Sequence, residues 1–513
     1  MNILSRRDFL KTIAFTASAL ASPVNISTAD AGSRHPNIIY ILADDLGYGD
    51  LNCLNPESKI QTPNMDRLAE NGVSFTDAHS NSGVCTPTRY GVLTGRYCWR
   101  SRLKSGVLWG GDEALMDRER LTVASLLKRH GYATSCFGKW HLGMDWARLP
   151  KEQAAAEGVR KTRDIDFTKP FRGGPVDLGF DTFYGIHASL DMPPYHWLKD
   201  DMSQGIPQEI TKEGGREGRT AEGFRAVDVM PELTEAVTSY IHRHAREQGD
   251  QPFFLYFPLT APHTPIVPND QFIGKSQAGK YGDFVVECDW TVGQVMNAVE
   301  QAGIADDTLI ILTSDNGPER IMQKRKEEYN HYSAYHFRGC KRDNWDGGHR
   351  IPFIASWPGR ISAGTTSDEI ICLTDLMATC AAIVEEELPD NAGEDSYNIL
   401  PAMLGEELDE PIREATVHHS SKGLFAIRQG RWKLLLHKGS GGNKYTLTDE
   451  SDTQLYDIGN DPSDTNNVYK EHPEVVEHLT KLLAKYVKNG RSTPGVPQKN
   501  DGGNSWKQLD WIP

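Results

Sequence analysis

"NIIYILADD", residues 37–45, is an apolar run that ends in two adjacent carboxylates, and its reading decides the fold. A short stretch of β-branched and aromatic residues with no charge before Asp44 predicts a strand buried on both faces, the pattern of a parallel sheet. The same texture returns in "YATSCF" (132–137), "PFFLYFPL" (252–259), "DTLIILTS" (307–314) and "IPFIASWP" (351–358), which are read as further parallel strands. Helical patterns lie between them. One starts at a capping Thr122 and stops at Gly131; longer ones cover 230–248 and 281–303. This alternation predicts an α/β fold, a large mostly parallel sheet sandwiched by helices through crossover connections.

Four of these strands run straight into polar clusters: Asp44-Asp45, "GKWHLG" (138–143), "APHTP" (261–265) and Asp315-Asn316-Gly317. Each cluster sits at a carboxyl end, the edge where open α/β sheets bind ligands. Two like charges about 4 Å apart repel by roughly 4 kcal/mol at an effective dielectric near 20. Crowding Asp44, Asp45 and Asp315 therefore calls for a cation or raised pKa values. Oxygen ligands alone favour Ca²⁺ or Mg²⁺ over zinc; the plain alternative is turn-forming aspartates that cap helices. Lys139 and His141 flank Trp140 and share one face of an extended segment. His263 lies between Pro262 and Pro265, and Lys341 and Arg350 bracket "KRDNWDGGHR". Together these groups predict a pocket that binds an anion and supplies proton donors.

The 513 residues carry a formal charge of −15, with 38% apolar and 9% aromatic residues. That balance argues against a nucleic-acid or anionic-membrane binder. It does not exclude an anionic substrate, since local cations dominate within a Debye length of about 8–10 Å. No apolar run is long enough for a transmembrane segment. "SRRDFLKTIAFTASALA", with Arg6 and Arg7, resembles a twin-arginine export signal spanning 1–31, which implies the twin-arginine translocase as a partner and a periplasmic or extracellular protein. Eight scattered cysteines with no C-x-x-C pair indicate neither a disulfide scaffold nor a zinc site, although one or two disulfides are compatible with export. A catalytic domain is expected over 34–400 and a small α+β subdomain over 401–490, with a hairpin turning near Gln429-Gly430 and a terminal amphipathic helix. Residues 491–513 read as a tail, and 146–225 as loops over one face.

"VCTPTRYGVLTGR" (84–96) puts one cysteine, Cys85, at a loop-to-helix junction. A helix dipole and Arg89 there should lower the thiol pKa. Structural thiol, disulfide partner, nucleophile and precursor of another group all remain open on the residues alone. The segment resembles the sulfatase signature, C-x-P-x-R followed by L-T-G-R. "ILADDLGYGDL", "GKWHLG", "PHTP", "TSDNGP" and "FRGCKRDNWDGGHRIPFIASWPGR" also resemble sulfatase blocks, in sulfatase order, with Asp346 where many members carry Glu. "IRQGRWKLL" and "QLYDIGNDPSDTNNV" resemble that family's end domain.

The resemblance implies an alkaline-phosphatase-like fold and hydrolysis of a sulfate monoester to an alcohol and inorganic sulfate. It implies that Cys85 becomes formylglycine through a formylglycine-generating enzyme, and that the aldehyde hydrate supplies the nucleophile. The implied calcium ligands are Asp44, Asp45, Asp315, Asn316 and modified Cys85. Arg89 and Lys139 would hold the hydrate and sulfate, His141 would take the hydrate's proton, and His263 and Lys341 would protonate the leaving alcohol. A sulfated carbohydrate is the expected substrate, with His187, His196, Trp197, His349 and Arg350 as candidate contacts. Small aryl sulfates, and phosphonate or phosphate monoesters, are the alternatives.

Overall fold

The computed structural model describes residues 35–154, 162–445 and 451–509. The export signal expected over 1–31 lies outside the described residues. The labelled elements are β1 (Asn37–Ala43), α1 (Cys85–Thr94), β2 (Ala133–Lys139), β3 (Phe253–Pro258), α2 (Gly279–Gln301) and β4 (Thr308–Ser314). The main sheet has ten strands. From one edge they run Thr365–Ser367, Val73–Phe75, Phe353–Ser356, β4, β1, β3, β2, Thr182–Ile186, Trp197–Lys199 and Met202–Gln204.

The centre, from β4 to Thr182–Ile186, is parallel, with Ile38 opposite both Phe254 and Leu309. Along β1, Ile38, Tyr40 and Leu42 enter the core on one face while Ile39, Ile41 and Ala43 enter the core on the other. Helices cover both faces. Leu126 and Leu127 of Val123–Arg129 and Leu93 of α1 close one core; Leu233 and Val237 of Val229–Glu247 and Val292 of α2 close the other. Burying each Leu, Ile or Val contributes about 1.5–3 kcal/mol, so the run that reads as continuous apolar sequence fixes the middle of the sheet.

Two expectations are corrected. Phe353–Ser356, read as parallel, pairs antiparallel with β4, Ile354 opposite Leu312. The segment 146–225 is not all loop, because it supplies three outer strands and the hairpin Glu209–Thr211 with Gly218–Thr220.

After residue 400 comes a four-stranded antiparallel sheet, Thr416–His419, Phe425–Gln429, Trp432–Leu435 and Gln454–Asp457. The helix Pro473–Asn489 buries Leu479, Leu482, Leu483, Tyr486 and Val487 in the core shared with Phe425, Ile427 and Leu434, the one-sided stripe of an amphipathic helix. Lys433 of this sheet donates to Asp346 (2.5 Å) and Asp464 (3.0 Å), so the shorter Asp346 is fully engaged. Residues after 490 also pack: Trp506 is buried in the same core, and Asn500 accepts from Arg100 (3.1 Å). All eight cysteines are free thiols and only Cys53 is exposed. Among the described residues no helix is long and apolar enough to cross a membrane.

Glu287 of α2 gives a stability test. It is fully buried; Oε2 accepts from the Asn269 amide (2.9 Å), and Oε1 has no partner among the described residues. Burial pushes its carboxyl up to about 7 from 4.5. The folded state therefore keeps a proton that the unfolded chain loses, and stability falls as pH rises between 4.5 and about 7. At about 1.4 kcal/mol per pH unit the ceiling is about 3 kcal/mol. Glu287→Gln is expected to raise the denaturant midpoint above wild type at about pH 8.5 and to change it little at about pH 4.5. An equal effect at both pH values would contradict this.

Candidate active site

The carboxyl ends of the central strands meet as expected. Asp44 donates its amide to Ala261 O (3.0 Å), Asp315 donates to Ala43 O (3.0 Å), and the Asp45 amide donates to Asp315 Oδ1 (3.2 Å). Asp45 (φ 68°) and His141 (φ 58°) both adopt left-handed backbone, uncommon for non-glycine residues and enriched where a site dictates side-chain direction.

Cys85 is the first residue of α1, preceded by extended Val84 (φ −149°, ψ 155°). All ten residues of α1 are buried, and the helix stops at Gly95 (φ 63°), where an added Cβ would meet Met377 Cβ at 2.7 Å. The thiol does lie at a helix N-terminus, but its pKa moves opposite to expectation. Burial pushes it up, against Lys139 and Lys341. Arg89 is committed elsewhere: its Nε and Nη2 donate to Asp315 Oδ2 (3.1 and 2.7 Å) and Nη1 to Lys139 O (2.9 Å).

Three buried carboxylates are matched by three buried cations. Lys139 Nζ donates to Asp44 Oδ2 (2.5 Å), Lys341 Nζ to Asp45 Oδ1 (2.7 Å), and Arg89 to Asp315. Burial alone would raise Asp44, yet Lys139, His263, Arg89 and Lys341 hold it well below the usual carboxylate range. Asp315 goes the other way: burial and the charge on Asp44 push it up to about 7. Lys341 is held above the usual lysine value by Asp45, despite its burial.

Both site histidines are kept neutral. Burial, then Lys139 and Arg89, lower His141; burial and Lys341 lower His263. His141 Nε2 donates to Leu108 O (2.8 Å), which leaves Nδ1 as a buried lone pair with no partner. His263 Nδ1 donates to Thr264 O (2.6 Å), so its Nε2, 3.8 Å from Asp45 Oδ2, is the free nitrogen.

Two buried oxygens bear on a cation: Asp44 Oδ1 and Asn316 Oδ1 have no hydrogen-bond partner among the described residues. Asp44, Asp45 and His263 also bring ligand atoms within 4.8 Å of one another. Carboxylate and amide oxygens without donors, on adjacent strand ends, fit a hard divalent ion.

A cavity of about 260 Å³ opens over Cys85, His263 and Lys341, and its other walls include Trp109, Asp191 and Arg216. The five residues expected as sugar contacts do not line it. His187 and His196 lie buried and stacked (5.6 Å), each 6.1 Å from Trp146. Trp197 stacks on Tyr184 (4.8 Å) in the sheet. His349 is stacked on His418 (3.8 Å), and Arg350 is bound to Asp346 (2.8 Å) and Asp77 (2.5 Å).

The family pattern "Sulfatase" matches residues 36–385, and "N-sulphoglucosamine sulphohydrolase, C-terminal" matches 334–489. The chain belongs to the sulfatase family. This sulfatase is 34% identical over 498 residues to the N-acetylgalactosamine-6-O-sulfatase of Bacteroides thetaiotaomicron, covering 88% of this chain and 93% of that one. It is 32% identical to human arylsulfatase A, covering 88% of each. A solved Bacteroides thetaiotaomicron structure, from work on the metabolism of multiple glycosaminoglycans, superposes with a TM-score of 0.76 at 32% identity, covering 88% of this chain and 99% of that one. The sulfatase is thus a sulfuric ester hydrolase, and its large sheet with a smaller C-terminal antiparallel sheet is the family's alkaline-phosphatase-like architecture.

Proposed function

We propose that this sulfatase is an exported carbohydrate sulfatase whose nucleophile is formylglycine made from Cys85, with calcium held by Asp44, Asp45, Asp315, Asn316 and the modified Cys85. The observation that carries it is a thiol at the floor of a pocket where burial discourages the thiolate while three cations and two neutral histidines wait beside it. As a thiol, Cys85 has no use for that machinery; as an aldehyde hydrate it has.

When formed, formylglycine supplies an oxygen that attacks sulfur as the alcohol leaves, and return to the aldehyde then expels sulfate. When bound, calcium supplies positive charge for the sulfate oxygens and the attacking oxygen. The rest falls to the chain. Lys139 orients the hydrate and the sulfate, and Arg89 positions that pair by holding Asp315 and the Lys139 carbonyl. His141 Nδ1, neutral and unpartnered, accepts the proton released as the aldehyde returns. Lys341 reaches the leaving oxygen from the cavity wall and protonates the alcohol, while the unprotonated Nε2 of neutral His263 accepts a hydrogen bond beside it. Each preorganised donor of this kind contributes about 3–4 kcal/mol to the transition state.

The sugar preference rests on the relatives, one named as an N-acetylgalactosamine-6-O-sulfatase and one solved in a glycosaminoglycan context. Sulfate release from N-acetylgalactosamine 6-sulfate and other sulfated mono- and disaccharides is expected to exceed that from 4-nitrophenyl sulfate in kcat/KM. Turnover of aryl sulfates alone would overturn the carbohydrate reading. Faster turnover of a phosphonate monoester than of any sulfate ester would overturn the substrate class.

A further inference from the structure

The cavity over Cys85 has a second wall that sulfate chemistry does not use. There Asp191, 8% exposed, pairs through Oδ2 with Arg216 Nη2 (3.0 Å), while its Oδ1 is buried with no hydrogen-bond partner among the described residues. An ionised oxygen left without a donor in a cleft is costly, and a ligand hydroxyl is the group that satisfies it. Arg216 is braced in turn on Trp109 (4.8 Å), which is 41% exposed.

The segment that carries Asp191 is tied to the reacting end. Its Ser189 Oγ accepts from Lys139 Nζ (3.3 Å) and lies 3.3 Å from His263 Nδ1, and His187 O accepts the His141 amide (3.0 Å). The stacked pair His187 and His196 underpins it. Asp191 is therefore fixed relative to the place where sulfur reacts. Volume limits what lies between: about 260 Å³ is below the roughly 300–1,000 Å³ of drug-sized sites, room for one ring with its sulfate.

We infer that Asp191, held by Arg216 on Trp109, accepts a hydrogen bond from a ring hydroxyl of a single sulfated pyranose and so separates sugar sulfates from aryl sulfates. This rests on the carbohydrate reading above. A carboxylate rewards a substrate that brings an O–H and gains nothing from a hydroxyl-free aryl ring.

The test is the ratio of kcat/KM for N-acetylgalactosamine 6-sulfate to that for 4-nitrophenyl sulfate. In Asp191→Ala the ratio is expected to fall about tenfold to hundredfold. Asp191→Asn, of the same shape and with one acceptor oxygen kept, is expected to recover part of it. A parallel loss on both substrates marks a structural role and overturns the inference, as does an unchanged ratio. Wild-type enzyme that releases no sulfate from any sugar overturns the carbohydrate reading and this inference with it. That outcome is read without any variant, so the two failures are distinct.

Discussion

Cys85→Ala is expected to lower kcat by about 10⁴–10⁶-fold on every substrate, the loss seen when a nucleophile is removed from machinery that otherwise remains. The residue is fully buried and opens a helix that is buried throughout, so the change from thiol to methyl is small in volume and the fold should hold. A matching denaturant midpoint for the two proteins would show that it does. The argument for modification comes from electrostatics. Burial raises the thiol pKa even beside Lys139 and Lys341, and Arg89 is committed to Asp315. A thiolate at this position would have to be made against its surroundings. Peptide mass spectrometry on active enzyme from its native host should find the Cys85 sulfur replaced by oxygen. Full activity with that sulfur still in place would sink the proposed mechanism.

The thiol also shows where sequence reasoning reached its limit. A helix N-terminus and a nearby arginine could be read in "VCTPTR", but not the depth of burial, nor that Arg89 would turn away to a carboxylate 226 positions on. The central strands were legible because a parallel strand covered on both faces must be largely apolar, as residues 38–43 of β1 and 309–312 of β4 are. The polar residues at their ends were legible for the same reason, since the pattern breaks where the sheet stops. Strand direction was not: "IPFIASWP" is apolar whichever way it runs, and it pairs antiparallel with β4. The strands Thr182–Ile186 and Trp197–Lys199 are too short and too mixed in polarity to stand out from loop.

The cavity wall formed by Trp109, Asp191 and Arg216 was not legible for a different reason. Trp109, Asp191 and Arg216 come from three separate segments, and nothing local marks any of them. Choosing histidines and a tryptophan by residue type selected His187, His196 and Trp197, which do not line the cavity. The informative signal was a carboxylate oxygen with no donor, visible only once the chain is folded.

Removal of divalent ions is expected to abolish turnover and to lower stability. Asp44, Asp45 and Asp315 crowd the ends of two neighbouring strands, and Asn316 adds an amide oxygen. Lys139, Lys341 and Arg89 neutralise the carboxylates one for one, yet Asp44 Oδ1 and Asn316 Oδ1 are still left without donors. A hard dication would satisfy both oxygens and take up carboxylate charge, freeing the ammonium groups to meet a sulfate. An ion that binds only the folded state at 100 to 1,000 times its Kd stabilises it by about 3–4 kcal/mol. Chelator-treated enzyme should show a lower denaturant midpoint together with lost activity, and added Ca²⁺ should restore both. Asp315→Ala should uncouple the midpoint from calcium altogether, a readout that does not depend on catalysis. If chelation leaves midpoint and turnover intact, the carboxylates serve only to pair the lysines and arginine, and the sulfate must be held by those cations alone.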